Sequence, residues 1–182
     1  MGPALALIEV ASIARGHRVA DAMCKRAPVN LVRADWVSPG KYVILVEGDV
    51  AAVEEAYRVG LDVAGERVID KLLLEQAHDQ VWPALAGDAR AGEGVGSLGV
   101  VETATLAATI AGADAAAKAA QVRIVEMQLG RGIGGKAFFT VTGALGEVQA
   151  AVDAAVDRLD AAVVVETQII PAPHDDLVGK LR

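Results

Sequence analysis

The chain has 182 residues, 53% hydrophobic and only 3% aromatic, with 17 basic against 24 acidic side chains and a formal net charge of −7. That length suits one ordinary domain or two small ones, with a core of Ala, Val, Leu and Ile rather than rings. The acid excess falls on both halves (10 basic against 13 acidic in 1–90, 7 against 11 in 91–182). With so few aromatics it leaves neither a basic footprint nor a stacking platform, so no nucleic-acid partner is expected.

The longest apolar runs, such as Tyr42–Val46 and Ala161–Val165, are too short to span a bilayer, and Met1–Leu5 carries no secretory signal pattern. No membrane role is expected. The single cysteine, Cys24, allows no internal disulfide and no thiolate cluster, which points to a reducing cytoplasm.

Taken in order, Leu5–Val10 reads as a buried strand. After a turn at Arg15-Gly16, the residues Val19, Ala22, Met23, Arg26 and Ala27 fall at helical spacing. Asp21 and Lys25 stand at i, i+4, the favourable order for a helical ion pair, and Pro28 ends the helix. Val29–Val37 is a strand, Ser38-Pro39-Gly40 a tight turn, and Tyr42–Val46 a second core strand. Beyond Gly48-Asp49 comes an amphipathic helix with Val50, Val53, Tyr57, Gly60, Leu61 and Ala64 on one face. Arg67–Leu74 is a further strand, followed by a short helix from about His78 to Leu85. Residues 87–96 are rich in glycine and charge and have no periodicity.

The pattern then begins again. Residues 4–32 match 97–125 at an offset of 93, with Glu9/Glu102, Asp21/Asp114, Lys25/Lys118, Ala27/Ala120 and Val29/Val122 identical. The offset becomes 95 for Lys41/Lys136, Gly48/Gly143 and Val53/Val148, and 96 for His78-Asp79/His174-Asp175. So long a period marks a duplicated domain rather than a solenoid. The expected fold class is α+β: two tandem β-α-β-β-α-β copies, each an antiparallel or mixed sheet with helices packed on it. The boundaries are 1–88 for the first domain, 89–96 for a linker and 97–182 for the second.

Gly130–Lys136 is the densest glycine run, and it fits both G-x-G-x-x-G and G-x-x-x-x-G-K. Either motif needs a helix after the loop to present N–H groups to phosphate. Ala137–Gly143 reads instead as a strand, and the first copy has only Val37-Ser-Pro-Gly-Lys41 at the equivalent place. The loop is therefore expected to be a strand-to-strand turn whose backbone approaches something closely. The other candidates are also better read as structural. His78 and His174 precede Asp at short-helix starts rather than forming a metal pair, and Glu9 and Glu102 repeat with the domain rather than forming a catalytic dyad. No catalytic constellation, cofactor site or metal site is expected.

Leu5–Glu9 with Ser12–Gly16, Ala20-Asp21 and Lys25-Arg26-Ala27 resembles the start of a bacterial microcompartment shell protein. So do Pro39-Gly40-Lys41, Gly48-Asp49-Val50 with Val53, and Pro173–Leu177, and the pattern covers nearly the whole chain. It resembles the tandem-domain members, which are trimers mimicking hexamers, more than the circularly permuted branch. The resemblance implies a homotrimeric tile in a shell layer within the cytoplasm, partnered by itself and by other shell proteins, with small polar metabolites crossing a central pore. It implies pore-lining positions at Ser38, Pro39 and Gly40 and at Gly132, Ile133, Gly134 and Gly135, and tile-edge lysines at Lys25 and Lys118. Some tandem relatives hold an iron–sulfur cluster on a Cys at the Ser38 position; with Ser there, no cluster is expected. Ala172 stands where many shell proteins have an edge Arg. The alternatives are a soluble trimeric ligand-binding or regulatory protein using the glycine loops as an anion site, and an enzyme with its site between subunits.

Overall fold

The computed structural model describes residues 3–90, 92 and 94–181; Ala91 and Glu93 of the expected linker lie outside the described residues. The first copy runs β1 (Ala4–Val10), α1 (Ile13–Arg26), β2 (Asn30–Val37), β3 (Lys41–Gly48), α2 (Val50–Ala64) and β4 (Val68–Leu74). The short α3 (Val81–Ala86) precedes the second copy: β5 (Ser97–Thr103), α4 (Leu106–Ala119), β6 (Arg123–Leu129), β7 (Ala137–Gly143), α5 (Leu145–Arg158), β8 (Val164–Ile170) and α6 (Asp175–Val178). Each copy forms one four-stranded sheet, in the orders β2-β3-β1-β4 and β6-β7-β5-β8, and every pairing is antiparallel.

By its contacts the chain divides into two units, Met1–Ala77 with Gly130–Gly135, and His78–Leu129 with Lys136–Arg182. The loop between β6 and β7 thus groups with the first unit, and α3 with the second. Sequence boundaries follow the repeat, whereas contacts follow what each segment packs against.

In the first unit, alternation along β1 sends Ala4, Ala6, Ile8 and Val10 into a core with Val19 and Met23 of α1 and Val53, Ala56 and Ala64 of α2. The opposite face of β1, carrying Leu5, Leu7 and Glu9, is buried as well. Ser12 caps α1 by accepting the Arg15 N–H at 3.3 Å, and Thr105 caps α4 by accepting from Ala108 N–H at the same distance. On the surface, Arg26 of α1 donates to Glu55 of α2, and Arg58 does the same from within α2. These hydrogen bonds hold the Glu55 carboxyl below the ordinary carboxylate range.

Three details of the sequence reading change. Arg15 and Gly16 lie inside α1, not in a turn before it. Ala22 and Arg26 stay off its buried face, which is Gly16, Val19, Ala20 and Met23. The buried face of α2 is Val53, Ala56, Gly60 and Ala64, so Ala56 joins it and Val50, the first residue of the helix, is exposed.

Gly16 is needed for space, since a Cβ there would overlap the Tyr42 ring. The Tyr42 hydroxyl then donates to the Ala34 carbonyl at 3.0 Å, and burial pushes its pKa up, helped by the Asp35 charge. The second copy has other residues at these two positions. Thr109 stands at the Gly16 position and Ala137 at the Tyr42 position, and the Thr109 hydroxyl meets that of Thr103 at 2.6 Å.

Candidate functional site

The first hairpin loop closes β2 onto β3 within three residues. Gly40 N–H donates to the Val37 carbonyl at 3.0 Å, Gly40 has φ 112°, and the Ser38–Pro39 bond is cis. Ser38, Pro39 and Gly40 are all exposed. The second loop, Gly130–Gly135, takes positive φ at Gly130, Gly132, Gly134 and Gly135, a backbone path open to glycine and strained for L side chains. Gly132 and Gly134 are exposed and Ile133 is half-buried. Gly135 is buried against the first loop: a Cβ there would overlap the Ser38 carbonyl oxygen and lie 3.1 Å from Pro39 Cδ. The structure thus brings Ser38, Pro39 and Gly135 together, and the close approach expected of the glycine run is an approach to the other loop.

What anchors these loops is a charge pair present in both copies. Strand alternation places Glu9 on the face of β1 away from the helices. Lys41, the first residue of β3, reaches it at 3.4 Å and donates to the Gly135 carbonyl at 3.2 Å. Glu9 is fully buried and Lys41 is 15% exposed. One ammonium therefore holds the base of its own hairpin and the end of the glycine run. In the second copy Lys136, the apparent P-loop lysine, is ion-paired with Glu102, and the segment after it is strand β7. That pair is wetter, with side chains 48% and 33% exposed.

A second tie runs through Asp35, which accepts from Arg33 Nε at 3.0 Å and from Arg131 Nη2 at 2.8 Å. It borders a cavity of about 430 Å3 lined by Asp35, Trp36, Val37, Ser38, Gly130, Arg131 and Gly132. Sequence reading missed Asp35, Trp36 and Arg131, because no repeat or motif marks them. It noted Glu9/Glu102 and Lys41/Lys136 as separate repeated identities; joining the two pairs would have found the anchor.

The lysines expected at tile edges each pair as spaced, Lys25 with Asp21 at 2.7 Å and Lys118 with Asp114 at 2.6 Å. They differ in setting: Lys25 is 75% exposed, while Lys118 is 45% exposed and its partner Asp114 is buried. His174 caps α6, its ring Nδ1 accepting Asp176 N–H, whereas the helix expected from about His78 begins only at Val81, and His78 Nδ1 accepts Gln80 N–H in the turn before it. No group of three or more His, Cys, Asp or Glu among the described residues is placed to hold a metal ion. The loop donors do not fit an iron–sulfur cluster either: Ser38 offers a hydroxyl, and the only thiol, Cys24, is exposed on α1.

Comparison with known proteins fits this geometry. The BMC domain family matches residues 4–77 and again 97–173. The chain is 37% identical over 182 residues to the bacterial microcompartment shell protein PduT of Citrobacter freundii, covering 97% of this chain and 96% of that protein. Among solved structures it resembles a microcompartment protein from Desulfitobacterium hafniense DCB, with a TM-score of 0.83, 42% identity, and 97% and 98% coverage. It also resembles the fused permuted hexameric shell protein MSM0275 from the RMM microcompartment, with a TM-score of 0.67, 27% identity, and 87% and 86% coverage. The chain belongs to the BMC-domain family. It is a tandem-domain bacterial microcompartment shell protein.

The anchors differ in burial, so removing their lysines should differ in cost. Lys41→Met removes the cation that faces a buried carboxylate and should lower stability by about 3–5 kcal/mol. Lys136→Met should cost about 1 kcal/mol or less, because water screens that pair. Urea unfolding of both variants checks the order, and the Glu9→Gln/Lys41→Met double variant should be more stable than Lys41→Met alone.

Proposed function

We propose that the chain assembles as a homotrimer, a pseudohexamer, that tiles with other shell proteins into a microcompartment shell inside the bacterial cytoplasm. Its central pore passes small polar metabolites. Ser38, Pro39 and Gly40 alternate with Gly132, Ile133, Gly134 and Gly135 around the axis, and Lys25 and Lys118 lie at tile edges. The observation that supports the reading is the packing of Gly135 against Ser38-Pro39, which sets the two unlike loops side by side. Glycine suits such an axis, where backbones crowd together. Exposed backbone N–H groups and the Ser38 hydroxyl suit polar or anionic permeants rather than apolar gas.

The protein's part is passage and enclosure, not catalysis. The alternative of a soluble anion receptor is less well supported, because the cations nearest the loops are already engaged, Arg131 by Asp35 and Lys136 by Glu102. The pore carries no iron–sulfur cluster, since Ser38 replaces the thiolate that such a cluster would need.

Sedimentation should give three times the 18.7 kDa chain mass, and concentrated protein should form sheets by electron microscopy. A monomer that never forms sheets or joins shells would sink this reading. Anaerobic reconstitution with iron and sulfide should leave no stoichiometric iron and no absorption near ~400 nm, a thiolate-to-iron signature. Stoichiometric iron would overturn the cluster-free pore.

A further inference from the structure

Trp36 is one of two tryptophans in the chain, and it stands 66% exposed near the end of β2. Its indole stacks on no other ring among the described residues; the ring contact found there joins His17 and Tyr42. The fold does not require it either. By strand register Trp36 lies opposite Tyr42 and Asp35 opposite Val43. The same places in the second copy, opposite Ala137 and Phe138, hold Leu129 and Gln128. One copy therefore forms this hairpin with neither the large ring nor the carboxylate.

The indole is part of the wall of the cavity of about 430 Å3 described above, together with Asp35, Ser38 and the turn Gly130–Gly132. That volume lies in the range of roughly 300–1,000 Å3 that holds small ligands. Opposite the ring is charge. Asp35 lies between two guanidiniums, accepting from Arg33 Nε at 3.0 Å and from Arg131 Nη2 at 2.8 Å. One carboxylate against two guanidiniums leaves one net positive charge beside a flat apolar face. Arg33 and Asp35 are half-buried and hold their places, while Arg131 and the Ser38 hydroxyl face solvent.

We propose that this cavity binds a planar aromatic ring carrying a single negative charge, the ring stacked on Trp36 and the charge set beside Arg131. A simple anion gains little here, because Asp35 already answers Arg131 and water screens the exposed guanidinium. A ring without charge gains only the stacking. A ligand with both features joins two modest attractions in one pose, and the Ser38 hydroxyl adds a donor for a carboxylate oxygen. The site is complete within one chain and occurs once in it, since Leu129 and Gln128 supply neither the ring nor the charge. Its role, holding such a solute at the mouth of the opening, rests on the pore reading above.

Binding of sodium benzoate, followed by saturation-transfer NMR and calorimetry, tests the site. Benzoate should saturate at one molecule per chain. Benzamide lacks the charge and cyclohexanecarboxylate lacks the flat ring. Each should bind at least about tenfold more weakly than benzoate, or about 1.4 kcal/mol. Trp36→Ala, an exposed change away from the core, should erase the preference for benzoate over cyclohexanecarboxylate, and Trp36→Tyr should keep it. Arg131→Gln should erase the preference over benzamide, and Arg131→Lys should keep it. Benzoate that does not saturate, that binds no better than cyclohexanecarboxylate, or that binds Trp36→Ala unchanged overturns the inference and leaves the trimer and its pore standing. A monomer with the expected benzoate pattern overturns the pore and leaves the binding site standing.

Discussion

A carboxylate buried on the central strand of a sheet has to be answered by a cation, and in this protein that requirement fixes where the loops can go. Glu9 is inaccessible to water, and Lys41 meets it from the first position of the next strand. An isolated buried charge costs several kcal/mol, so the lysine cannot leave, and the turn it terminates cannot drift. Because the same ammonium also holds the Gly135 carbonyl, the second loop is tied to the first at its last residue. The Asp35–Arg131 pair ties it again near its start. A glycine run that would otherwise sample many conformations is thus pinned at both ends.

Duplication then supplies two versions of one device, and they have diverged. The first copy has a short turn with a proline, a dry anchor and an exposed α1. The second has a long glycine loop, a wetter anchor and an α4 that is buried along most of its length. The Gly16–Tyr42 and Thr109–Ala137 exchange shows the same divergence in the core.

Much of this was legible in the sequence. Apolar runs and helical spacing located the four strands and two main helices of the first copy, and repetition gave the second copy and the α+β class. The absence of a helix after Lys136 was enough to set aside the phosphate motifs, and the structure adds Glu102 as the lysine's actual partner. What could not be read depends on residues distant in sequence. Gly16 looks like a turn residue until the Tyr42 ring is seen above it. Gln80 looks like a surface amide until it is found bracketing a strand edge. Arg131 and Asp35 have no counterparts that repeat. In each case the local pattern was correct, and the reason for the residue lay on another element.

The central claim is that the two loops, held by their lysine anchors, alternate around a common axis. A cryo-electron microscopy map of the assembled layer tests it most directly. The account predicts three copies of Ser38–Gly40 and three of Gly132–Gly135 in alternation around a polar opening, each backed by its Glu–Lys pair. Loops found at the tile perimeter, or an axis closed by other segments, would contradict it.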